Sequence, residues 1–137
     1  MFTKSNLIST LVGAIWAYFG GNLLWDTLGS SLFEGYKEAT PDQLHLILAC
    51  VFTAFAFSTI YSKLAGGGHS MSHGAQFGLW AGIFIGFGER WFDFAFSDAP
   101  ILMDAILNGV MNIVFFAIMG VLVSMVYEKT SGSSSGN

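Results

Sequence analysis

Glu89, Arg90 and Asp93 interrupt a chain that carries no formal charge from Leu64 to Gly88. Glu89 and Asp93 are four apart and share a helix face. Other polar residues recur at the same spacing. Tyr18, Asn22 and Asp26 close the first apolar run, Asp104, Asn108 and Asn112 open the last, and His45 falls in the first turn of the second. Charges inside a bilayer cost roughly 2.5–3.5 kcal/mol each on insertion scales, so they pair or line water. Four acids (Asp26, Glu89, Asp93 and Asp104) face one arginine, and one or two of them suffice to pair with Arg90. A surplus of carboxylates around one cation is how a proton or small-cation site is made. The simpler use, and the favoured one, is that Arg90 ties the helix ends together while the other acids sit in headgroup water. A third use takes His45 with the acids as general acid and base.

His69-Ser70-Met71-Ser72-His73 has imidazole and thioether groups suited to copper. It is one short string with no cysteine beside it, so a solvated loop is expected rather than a metal centre. Cys50 stands among apolar neighbours and reads as an inert packing residue. No nucleophilic triad, phosphate loop or dinucleotide fingerprint is present, and no cofactor is expected.

The elements that position these residues follow from composition. Of 137 residues, 53% are apolar or aromatic and 10% are charged, where soluble domains carry about 25%. Mean hydropathy is +0.61. Low charge, net −4 and one cysteine exclude a disordered chain, a nucleic-acid binder and a disulfide scaffold. Four stretches lack formal charge: Ser5–Trp25, Gln43–Ser62, Leu64–Gly88 and Ala105–Tyr127. A helix crosses a bilayer core with roughly 20 apolar residues, so the runs predict four spans. They do not alternate and are too few for a barrel.

The expected fold is therefore an all-α integral membrane four-helix bundle with antiparallel up-down topology. One domain covers 1–130, with helices near 5–27, 41–64, 73–96 and 100–128. Thr40-Pro41-Asp42 reads as a helix start, Ala65-Gly66-Gly67-Gly68 as a stop, Ser72 or His73 as the third start, and Asp98-Ala99-Pro100 as a break. The Ser/Gly-rich stretch 131–137 reads as a mobile tail. The first run is too long for a secretory signal and reads as an uncleaved anchor. Lys4, Lys63 and Lys129 fall on one side, which the positive-inside rule makes cytoplasmic together with both termini.

Gly74, Gly78, Gly82 and Gly86 repeat every four residues and form one ridge. Small residues at this spacing let a second backbone approach closely. Trp80, Phe84, Phe87 and Trp91 fall on the other side and suit lipid or a broad packing surface. Gly13, Ala17 and Gly21 on the first helix, or Ala105 and Gly109 on the fourth, offer complementary rows. Packing within the chain is favoured, with a seam between two copies as the alternative. Polarity concentrates in the halves nearest Arg90, and the lysine-side halves read as nearly featureless.

With the motif Gly74-x-x-x-Gly78-x-x-x-Gly82 opening the third span and Gly120 before a basic end, the chain resembles small four-helix bacterial membrane proteins of unknown function. That resemblance implies a bacterial cytoplasmic (inner) membrane location and carries no activity or functional residue. The reading is a non-enzymatic membrane scaffold or accessory subunit with an outward-facing polar pocket. Its partners are the lipid bilayer and either a second copy or a larger membrane complex, not nucleic acid. The alternative is a proton or small-cation conduit using the acids around Arg90.

Overall fold

In the computed structural model the described residues are 3–24, 43–65, 69–96 and 102–135, and among them every regular element is helical. The elements are α1 (Lys4–Gly21), α2 (Gln43–Ala65), α3 (Met71–Gly82), a π-helical stretch (Ile83–Glu89), α4 (Arg90–Ala95) and α5 (Leu102–Ser135). The stretch from α3 through α4 is continuous and is referred to below as the third rod. The expected all-α class stands. Lys4–Leu24, Gln43–Leu64 and Leu102–Thr130 are long and apolar enough to cross a membrane. Among the described residues there are thus three such helices, where the charge-free runs predict four. In the third rod α-helical winding stops at Gly82 after 12 residues, about 18 Å at 1.5 Å each.

Two starts are set by side-chain caps. Thr3 accepts from the backbone N–H of Asn6 at 3.1 Å, and Ser70 accepts from that of His73 at 3.1 Å. The third rod therefore begins at Met71, ahead of the expected Ser72 or His73, because the Ser70 hydroxyl satisfies an end donor that the later residues leave open. At the far end α5 continues to Ser135, into the Ser/Gly-rich stretch. Extending a long helix adds a hydrogen bond per residue fixed, whereas nucleating one is costly, so even Ser and Gly follow. The expected signals at Pro41, Gly66–Gly68 and Asp98–Pro100 lie outside the described residues.

The glycine ridge meets α5. A side-chain carbon built on Gly74 would fall on the carbonyl of Gly120, and one on Gly78 on that of Phe116. On Gly82 it would stand 2.5 Å from the Ile113 Cα, and on Gly86 2.8 Å from the Gly109 carbonyl. Positions rising along the third rod meet positions falling along α5. A strict four-residue repeat outruns the 3.6-residue turn and winds off the contact line. The π-helical stretch, with its wider i→i+5 turn, returns Gly86 to the line.

α1 packs on α2 and α5 through Asn6, Ser9, Gly13, Ala17 and Gly20. Gly13 stands against Ala54. Gly21 departs from its expected packing role: nothing lies within 4 Å of where its Cβ would be. Phe87 takes the packing role of the two open to that face, since its ring fills the space that a side chain on Gly109 would need. Trp80 and Phe84 are exposed as the opposite face requires. The core is Phe57, Phe115, Phe116, Met119 and Val123, with Phe57 and Phe116 stacked at 5.8 Å.

Candidate functional site

Arg90, Asn108 and Asn112 come together around a cavity of about 470 Å³, with Ala17, Gly21 and Cys50 in its walls. Arg90 follows the π-helical stretch, so the rewinding that keeps Gly86 on α5 also turns Arg90 toward this space. Asn108 and Asn112 are one turn apart, and the Asn112 amide donates to the Asn108 carbonyl at 2.8 Å. Glu89 pairs loosely with Arg90 at 3.8 Å, and both side chains are more than half exposed.

The rest of the expected pocket disperses. Tyr18 donates to the Gln43 side chain at 2.7 Å, His45 is exposed, and Asn22 and Asp104 are half-buried outside the cavity lining. The side chain of Asp93 and all of Asp26 lie outside the described residues.

A second polar assembly stands at the opposite end, beside Lys4, Lys63 and Lys129, where featureless helix halves were expected. Asn6 is 1% exposed. Its side-chain oxygen accepts from Ser58 and from the Tyr127 hydroxyl, and its amide donates to Thr59 at 3.0 Å. Ser5 and Thr130 share a hydrogen bond of 2.6 Å. Hydroxyls and one amide leave a charge-free run unbroken, which is why counting charges passed over them. The available signal was the pairing of Asn6 with Ser58-Thr59 and Tyr127 at matching distances from the three lysines.

His69 joins this end instead of lying in a solvated loop. Its Nδ1 is 2.9 Å from the Tyr61 hydroxyl, and its ring stacks on Tyr127 at 5.2 Å. Burial, then the neighbouring His73 charge, pull its pKa below the ordinary value, against a smaller opposing pull from Glu128. Met71 and His73 are exposed, and no cluster of three metal-ligating acids, histidines or cysteines occurs among the described residues.

Between the two polar ends the buried face of α5 is apolar. Along α5 the buried residues from Asn112 to Ser124 are Phe115, Phe116, Met119, Gly120 and Val123. The chain matches no protein-family model, no curated protein and no solved structure.

Proposed function

We propose that this chain is an integral membrane protein, an antiparallel bundle of four spans that acts as a non-enzymatic scaffold or accessory subunit. The third rod is the fourth span in this reading, and the lysine end with both termini is cytoplasmic. Support for membrane embedding comes from the outward faces, where Leu11, Phe19, Phe52, Trp80 and Phe84 are each at least half exposed. Support for the antiparallel order comes from the falling register of α5 against the rising ridge.

The observation that carries a non-conducting role is the apolar layer between Asn112 and Ser124. A proton or cation would have to leave the Arg90 cavity through Phe115, Phe116 and Met119, where α5 buries no polar side chain to replace its hydration and the Trp16 indole N–H is already given to the Phe115 carbonyl. The test is flux of protons and monovalent cations in liposomes holding the purified chain. We expect no flux above empty liposomes from about pH 5 to 8, the range in which histidines titrate, and no difference between wild type and Glu89→Gln. Flux that disappears in Glu89→Gln with the fold intact would replace the scaffold by the conduit.

A further inference from the structure

α2 packs on α1, whereas the third rod packs on α5, so these two outer helices meet mainly at the lysine end. Phe77 closes there against Phe57 at 4.9 Å and Tyr61 at 5.7 Å, while toward Arg90 a cavity of about 290 Å³ stands between the helices. His69 joins this aromatic cluster. Its ring centroid is 5.5 Å from that of Tyr61 and 5.2 Å from that of Tyr127, and those two rings are 5.5 Å apart, so the three form a triangle. Tyr127 gives its hydroxyl proton to Asn6, so the imidazole rests on a ring that belongs to the polar network of this end.

The hydrogen bond of 2.9 Å between the His69 Nδ1 and the Tyr61 hydroxyl has room for one proton. Neutral imidazole has one acceptor nitrogen, to which a phenol can donate, whereas imidazolium carries N–H on both. Protonation thus makes Nδ1 a donor and leaves the Tyr61 proton to find another acceptor. Tyr61 is 1% exposed, so water does not serve it in the packed state. The titratable groups facing the imidazole are Tyr61 from α2, Tyr127 and Glu128 from α5, and His73 from the third rod. Glu128 attracts a cation there, as tyrosine faces do in general. Burial first, and the His73 charge second, nevertheless hold the His69 pKa below its ordinary value.

Moving the ring does not require the third rod to unwind. The Ser70 hydroxyl and carbonyl accept from the backbone N–H groups of His73 and Gly74, and Gly74 is seated against Gly120. The rod is therefore held from Ser70 onward, and the hinge falls at the extended backbone between His69 and Ser70.

We propose that His69 is an acid-released clasp: neutral, it accepts the Tyr61 proton and lies on Tyr127, and protonated, it leaves both rings and uncovers the lysine end of the bundle. The closed form binds the proton less readily than the open one, so falling pH favours release. The clasp depends on neither the membrane placement nor the scaffold role.

The test is nuclear magnetic resonance of the full chain in detergent micelles at about pH 7.5 and about pH 5, either side of the ordinary histidine value near 6.5. At the higher pH the His69 Nδ1 should give the signal of an unprotonated acceptor nitrogen, and its backbone amide an order parameter of about 0.85, that of a rigid chain. At the lower pH both ring nitrogens should carry protons and the amide value should fall below about 0.6, while the Gly74 amide keeps its own. His69→Gln carries no charge and its side-chain carbonyl still accepts from Tyr61, so residue 69 should stay rigid at both pH values. His73→Gln should keep the release and move the ring's midpoint up toward about 6.5. An imidazolium whose amide stays rigid would overturn the clasp. A protonated Nδ1 at the higher pH, or equal loosening of the His69→Gln chain in acid, would do the same. The wild type decides the first two of these outcomes, whether or not the variants fold.

Discussion

Asn6 holds three helices through one amide, because its two polar atoms reach α2 and α5 from α1. Removing it strands the hydroxyls of Ser58, Thr59 and Tyr127 in a buried setting. Asn6→Ala is expected to lower stability by about 1–3 kcal/mol, read as thermal unfolding in detergent. One turn on, the fully buried Ser9 hydroxyl has no hydrogen-bond partner. Ser9→Ala should therefore be neutral or raise stability, and an equal loss in both variants would show that the network is not what Asn6 supplies. His69 sets a pH dependence with a definite sign. Its folded pKa is lowered, so the unfolded chain binds the proton more readily once pH falls below the ordinary histidine value near 6.5. Stability from this group is complete above that value, falls as pH drops toward the folded pKa, and is level below it. Tyr61, Tyr127, His73 and Glu128 are the titratable groups around it, so the slope should vanish in His69→Gln, checked by unfolding between about pH 5 and 7.5.

Among helices, the glycines differ in what surrounds them, although the one-letter pattern makes them look alike. Gly78 has the backbone of α5 where a methyl would stand, and backbone cannot rotate away. Gly78→Ala should cost about 1–3 kcal/mol or more by overpacking, and Gly78→Leu should abolish the fold. Gly21→Ala meets nothing and gains helix propensity, so its unfolding temperature should hold or rise. Equal losses at both positions would mean that the third rod does not rest on α5 in the membrane. The register of the ridge was legible from its spacing, but its partner and the π-helical turn were not. The spacing records only that something comes close, and α1 offered a comparable row in Gly13, Ala17 and Gly21.

Across the bundle, two polar ends are separated by an apolar layer, and the outer helices splay at one of them. This arrangement underlies the expected absence of flux: the layer at Phe116 and Met119 stands between the Arg90 cavity and the Asn6 end. The candidate site was partly legible. Arg90, Asn108 and Asn112 are recognisable as polar residues in apolar runs, and they do meet. Cys50 and Gly21 joined them only because α2 and the third rod diverge, a distance no spacing encodes.

The all-α class, the long apolar helices and the face carried by the glycines follow from the sequence alone. Chain-local physics decides them: hydrocarbon length, the 3.6-residue turn and the missing Cβ. Which helices touch, whether a glycine faces backbone or open space, and whether a polar residue is satisfied depend on groups up to 125 positions apart, as between Ser5 and Thr130. Those contacts form only where helices cross, so the polar network around Asn6 and the cavity beside Arg90 belong to the packed bundle.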